Sequence, residues 1–235
     1  MKFTSYLTED SKKWWHLWSC ESLCPKINKE IKAEKISDKS EDTRTNILLA
    51  AFNETYHRGF QAASLSNILK NTGATKGALY HHFDNKLELG YAVLDEVIRD
   101  TMYSSYIEPL NNSNDPITTL RDILLRSGAS MTEEDVNLGC PLNNLAQEMS
   151  PIDDGFRDRI ALLYLEWQDS IEAAFNRGKE KGTVIHSVDA KETALLFIAT
   201  LQGCMGFAKS VQKLDALMSC GQGLIDRLES LRPLK

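Results

Sequence analysis

No run of apolar residues in this chain is long enough to span a membrane, and no cleavable signal sequence is visible, because the apolar stretch near the start is short and broken by His16 and Ser19. Cysteine is scarce as well. Five residues, an odd number at irregular spacing, point to a reduced cytoplasmic protein rather than a disulfide framework. There is no C-x-x-C pair and no glycine-rich phosphate loop after a strand, so redox and nucleotide enzymes lose their usual signatures. An excess of positive charge is also missing. A net charge of -6 and a pI of about 5.5 argue against a protein that coats DNA through overall charge.

What is present is ordinary in bulk and uneven in distribution. The 235 residues are 42% hydrophobic and 26% charged, enough for one or two globular domains with a real core. Residues 1–100 carry 14 Lys/Arg and 14 Asp/Glu, whereas residues 101–235 carry 13 and 19, so the net negative charge lies in the second part. Any contact with DNA must then be local to the first part.

Residues 64–86, SLSNILKNTGATKGALYHHFDNK, supply that contact. Ser64 can N-cap a short helix with Leu65, Ile68 and Leu69 on one inward face, and Asn71-Thr72-Gly73 can end it through a residue at positive φ. After a tight turn Thr75 can cap a second helix, on which Leu79 and Phe83 stand at i and i+4 and pack on the first. Lys76, Gly77, Ala78, Tyr80, His81 and His82 are left outward. Small residues at the start of such a helix let its backbone approach base edges, while Lys, Tyr and His reach phosphate oxygens and base acceptors. Asn85-Lys86-Leu87-Glu88 opens a further helix as a variant capping box, where free amides and Lys86 favour an anion such as phosphate.

These residues resemble the TetR family of bacterial one-component transcriptional regulators. The resemblance begins at Thr43-Arg44-Thr45-Asn46-Ile47 and runs through Ala50-Ala51-Phe52, Gly59-Phe60, Ser64 to Ile68, Gly73 and Thr75-Lys76-Gly77-Ala78-Leu79-Tyr80-His81-His82-Phe83, then Asn85-Lys86 to Leu89. It implies an all-α, TetR-like fold, with an N-terminal three-helix helix-turn-helix DNA-binding domain followed by a helical ligand-binding and dimerisation domain. It also implies double-stranded operator DNA as partner. Lys76, Gly77, Ala78, Tyr80 and His81 would face the groove, and Ser64, Thr75, Tyr80, His82 and Lys86 would hold phosphates.

The expected domains are an extension over 1–40, the DNA-binding domain over 41–89 and the regulatory domain over 90–235. Lys and Glu alternate through KINKEIKAEKISDKSED, and Trp14, Trp15 and Trp18 crowd together with few neighbours, so the extension reads as a partly ordered appendage or as sequence ahead of the true start. His16, Cys20 and Cys24 give three metal-type ligands with no clear fourth, a weak zinc pattern, and no metal or other cofactor is expected. Apolar spacing predicts helices over about 43–58, 86–107, 116–131, 153–181, 189–210 and 213–231, a short helix after Cys140-Pro141, and an acidic turn at TEEDVNLG. The helix from Lys86 would be an unbroken rod. ALLFIATLQGCMGFA is apolar almost all round, and a helix apolar on every side needs cover on every side, which a second copy of the chain can give. The family resemblance implies the same homodimer through the last two helices.

Two triggers are open. Cys140 precedes Pro141, so it sits near a helix N-cap, where free amides and the helix dipole favour a thiolate. Leu138-Gly139-Cys140 and Ala208-Lys209-Ser210 resemble the cysteine and lysine positions of the NemR-type, electrophile-sensing branch of the family, which implies Cys140 as sensor and Lys209 as its cationic partner; Cys204 and Cys220 read as core. The other trigger is a small apolar ligand held among Tyr103, Tyr106, Tyr164, Trp167, Ile171, Phe175, Met205 and Phe207, each of which, taken singly, is also explained by core packing. Two rival functions remain on sequence alone: a thiol-dependent redox enzyme using Cys140, and a non-specific architectural DNA-binding protein, which the acidic pI disfavours.

Overall fold

A computed structural model describes residues 39–234, and those residues are helical with no strand among them. The expectations for the extension, its tryptophans and the set His16, Cys20 and Cys24 lie outside the described residues. The helices are α1 (Lys39–Arg58), α2 (Leu65–Thr72), α3 (Lys76–His82), α4 (86–111), α5 (Pro116–Ser130), α6 (Glu133–Leu138), α7 (Pro141–Met149), α8 (Asp154–Glu180), α9 (Ala190–Val211) and α10 (Leu214–Glu229). Two of them depart from the sequence reading. Helix α4 is continuous but not a regular rod, because it contains π turns at Val93–Ile98 and Tyr103–Ile107. The acidic segment is a helix and not a turn: Thr132 accepts from Asp135 N at 3.1 Å, and the Asp135 carboxylate accepts from Thr132 N at 2.9 Å.

The described chain forms two compact units, residues 39–100 with 141–162, and residues 101–140 with 163–234. This division differs from a boundary at residue 90, since residues 90–100 and 141–162 pack with the helix-turn-helix. In the first unit α1 buries Ile47, Leu48, Ala51 and Phe52, and Ile68, Leu79, Phe83, Leu89 and Val93 complete the core. Four or five such side chains, each stabilising by about 1.5–3 kcal/mol when fully buried, hold α2 and α3 on α1. Phe60 and Tyr91 both meet the Phe156 ring edge-on, at 4.8 and 5.0 Å between centroids. No side chain fits at Gly90, where a Cβ would overlap the Phe60 and Phe156 rings. Arg44 donates two bonds to Glu96, at 2.7 and 2.5 Å, and ties the start of α1 to α4.

In the second unit α9 and α10 pack as an antiparallel pair joined by Gln212, which takes a left-handed φ of 54°. Helix α9 buries Ala194, Phe197, Ile198, Leu201, Cys204, Met205 and Ala208. It is long and apolar enough to cross a bilayer by length and composition, yet this buried face is packed within the unit. The pairing of α9 with α10 brings the Cys204 and Cys220 Cα atoms to 5.9 Å, and the two residues form a disulfide. That corrects the expectation of reduced cysteines, while Cys204 is buried in the core as expected and Cys220 is half-buried. Arg232 closes the unit by donating to both Asp115 carboxylate oxygens, at 3.2 and 3.0 Å, and to Thr118 Oγ1 at 2.7 Å.

Candidate functional site

The exposed face of α3 begins at its cap. Thr75 has extended dihedrals, and its Oγ1 accepts from Ala78 N at 3.1 Å, which starts the helix. Leu79 is fully buried and Phe83 nearly so, and they pin the helix by one side. Thr75, Lys76, Gly77, Tyr80 and His81 are exposed on the other side, and Ala78 and His82 are half-buried. Tyr80 keeps 43% of its surface. The Lys76 ammonium lies 5.8 Å from the Tyr80 ring centroid, and the His81 and His82 rings meet edge-on at 5.1 Å. The sequence therefore produces a short rigid helix that offers a cation, a phenol and two imidazoles from a small-residue start.

The neighbouring turns are held by groups that the sequence reading missed. Ser64 occupies the N-cap position of α2, but its side chain makes no cap bond. The buried carboxylate of Glu54 accepts from Ser64 N at 3.3 Å and from Asn67 Nδ2 at 2.9 Å, so α1 ties down the start of α2. The half-buried Glu148 of α7 accepts from Phe60 N and Gln61 N, both at 2.8 Å, just after Gly59 turns the chain at φ 81°. Asn85 caps α4 as expected, accepting from Glu88 N at 3.0 Å. Lys86 has more to do than was expected of it. Its Nζ donates to Gln61 O at 3.0 Å and lies 4.9 Å from the Phe60 ring centroid, and burial pushes its pKa down against the opposing pull of Glu148 and Glu54. An ammonium has three N–H donors, so further donors remain for an anion.

A second concavity, of about 50 Å³, lies within the other unit. The Tyr106 and Trp167 rings meet at a tilt of 55° with 4.8 Å between centroids and form one wall, with Met102, Met131 and Met205 around them. Leu217, Met218 and Gly221 of α10 supply another wall. Cys140 is buried and also lines this space. It is carried there by Gly139, whose φ of 75° and ψ of -160° only glycine adopts readily, between the end of α6 and Pro141 at the start of α7. Burial pushes the Tyr106 phenol well above its ordinary pKa, with the nearby Cys140 adding to the effect and a bond to Ser127 opposing it. Burial and Cys140 raise the Tyr164 phenol in the same way.

Of the eight side chains expected around a ligand, Tyr106, Trp167 and Met205 line this cavity. Ile171 and Phe175 are fully buried and Tyr164 is half-buried, and none of the three is on its wall. Tyr103 and Phe207 are exposed, at 46% and 62%, which corrects their placement. Tyr103 opens a π turn, and in that wider turn residues three apart no longer share a face, so Tyr106 points inward and Tyr103 outward. Lys209 is half-buried in the last turn of α9 and is not on the cavity wall with Cys140.

Comparison with known proteins bears on both surfaces. A profile described as bacterial regulatory proteins, tetR family, matches residues 47–93, and one described as tetracyclin repressor-like, C-terminal domain, matches residues 116–220. The chain belongs to the TetR family. It is a DNA-binding transcriptional regulator and not an enzyme, and neither the thiol-enzyme reading nor the architectural one finds support. It is 28% identical over 178 residues to an uncharacterized HTH-type transcriptional regulator in the lacX 3' region of Lactococcus lactis, covering 76% of this chain and 89% of that one. A TetR transcriptional regulator from Chloroflexus aurantiacus superposes with a TM-score of 0.71 at 24% identity, over 82% of this chain and 96% of that one. Reduced NemR from E. coli superposes with a TM-score of 0.69 at 18% identity, over 80% of this chain and 96% of that one, a likeness of fold alone.

Proposed function

We propose that this TetR-family protein is a homodimeric repressor that two copies of α3 hold on a pseudo-palindromic operator, and that an uncharged small molecule in the cavity beside Trp167 releases it. The exposed series Thr75, Lys76, Gly77, Tyr80 and His81, on a helix pinned by Leu79 and Phe83, carries the reading. Lys76, Gly77, Ala78, Tyr80 and His81 face the groove, while Ser64, Thr75, Tyr80, His82 and Lys86 hold phosphates. Because the Ser64 hydroxyl is not used as a helix cap, it is available for that role. The dimer presents its two α3 helices about one turn of DNA apart, roughly 34 Å. Contact with the operator places the protein in the cytoplasm.

The dimer reading is supported by what α9 leaves uncovered. Leu195, Leu196, Phe207 and Val211 are exposed, the first three by more than half. A Cβ at Gly203 or Gly206 of α9, or at Gly221 or Gly223 of α10, would meet nothing within 4 Å, so another helix can approach these faces closely. Release works through α4, which supplies residues 86–100 to the unit that contains α3 and residues 101–111 to the unit that contains the cavity. A ligand that displaces Met102 or Tyr106 shifts the helix that follows α3, and the operator spacing is lost.

Modification of Cys140 is the second reading, favoured by its being the one cysteine outside a disulfide among the described residues and by its place on the cavity wall. In that reading an electrophile follows the route of the ligand, and Lys209 acts as the cationic partner. Operator binding to upstream DNA at fixed salt decides between the two, measured for the untreated protein, the protein treated with a quinone, and treated Cys140→Ser. Release of the first protein by quinone with Cys140→Ser still bound establishes the thiol trigger. Binding that quinone leaves unchanged removes Cys140 from the mechanism and leaves the non-covalent ligand.

A further inference from the structure

We propose that the cavity selects an uncharged apolar molecule bearing a hydroxyl group, whose oxygen accepts from Trp167 Nε1 and whose proton goes to Gln202 Oε1. The inference rests on the reading of this cavity as the effector site and names the class of effector. The observation behind it is a pair of orphaned polar atoms. Trp167 Nε1 and Gln202 Oε1 are buried without a hydrogen-bond partner, they alone have this status among the described side chains, and both residues line the same cavity. Trp167 is 1% exposed.

An unpaired buried donor or acceptor costs about 1–3 kcal/mol, so a chain that leaves two of them on residues of one cavity wall gains when a guest satisfies both. Other polar groups of the wall are already engaged: the Tyr106 hydroxyl bonds with Ser127, and burial keeps that phenol protonated. One protein group is a donor only and the other is an acceptor. The complementary guest must therefore accept and donate, and a hydroxyl is the smallest group that does both. A cavity of about 50 Å³ favours the smallest. Among the described residues no Asp, Glu, Lys, Arg or His lines the space, so a charged guest would shed its water with no counter-charge from them to meet it. The rest of the wall is methionine, leucine and isoleucine with Cys140 and two glycines, and its methionines adapt to a compact ring or branched chain.

Three probes of one shape test the proposal on the full chain: cyclohexanol, cyclohexanone and methylcyclohexane, with cyclohexane carboxylate as a charged control. Titration is followed by NMR through the indole N–H signal of Trp167, assigned by its loss in Trp167→Phe, and by thermal shift. Cyclohexanol is expected to bind about tenfold or more tighter than methylcyclohexane, to move the indole proton downfield, and to lose that advantage in Trp167→Phe and in Gln202→Met. Gln202 is half-buried, so its variant keeps the test alive if Trp167→Phe fails to fold. Equal binding of the alcohol and the hydrocarbon overturns the polar assignment while leaving the effector cavity in place. Cyclohexanone binding as tightly as the alcohol overturns the acceptor role of Gln202 and with it the hydroxyl. Binding of the carboxylate, or of none of the four, overturns the proposal, and the last result removes the cavity as an effector site too.

Discussion

Glu148 offers the sharpest check on how the DNA-binding unit is held, because one side chain of α7 serves two backbone donors at the turn after Gly59. Glu148→Ala leaves the amides of Phe60 and Gln61 without the carboxylate that they meet at 2.8 Å. Bonds to a charged acceptor contribute about 1.5–3 kcal/mol each when buried, but the Gln61 bond is exposed and water can replace most of it. The expected loss is about 2 kcal/mol, and Glu148→Gln, which keeps one carbonyl oxygen, should lose about half of that. Because the chain has two units, global unfolding would mix their stabilities, so the assay is local: native-state hydrogen exchange at Phe60 and Gln61. Two kcal/mol corresponds to roughly thirtyfold faster exchange. Exchange at both amides within threefold of wild type in Glu148→Ala would refute the claim that this carboxylate holds the turn.

Tyr80→Ala should weaken operator binding at least tenfold at fixed salt while leaving the mass of the dimer unchanged, as read by gel shift beside light scattering; undiminished binding would remove α3 from the groove. Cys204→Ser should lower the stability of the non-reduced protein by about 3 kcal/mol, the scale for a loop that closes over 16 residues, and have little effect once wild type is reduced. Peptide mapping without reductant checks the bond itself. Detection of both cysteines as free thiols would remove the cross-link between α9 and α10.

Much of the molecule was legible from short-range signals. The caps at Thr75 and Asn85, the helix ends at Gly59, Gly73 and Gly182, and the inward Leu79 and Phe83 all follow from residues within a turn of one another, where the chemistry of one side chain and its nearest amides decides the outcome. The helix at Glu133–Leu138 was legible too, since Thr132 and Asp135 stand at capping-box spacing, but the run of acidic residues masked it. The same local logic misplaced the Ser64 side chain: the start of α2 is tied instead by a distant carboxylate, Glu54, through Ser64 N and Asn67 Nδ2.

The amino-acid sequence by itself thus determined the helix-turn-helix, the residues on its exposed face and the apolar character of the last two helices, because each of these depends on spacing along the chain. Tertiary structure alone decided that Glu148 holds the turn after α1, that Cys204 meets Cys220, that Tyr103 and Phe207 turn away from the cavity, and that Trp167 and Gln202 share it with their polar atoms unpaired. Each of those facts joins residues on different helices or depends on the phase of a π turn. Such pairings are set by how helices pack, and no spacing within one helix encodes that.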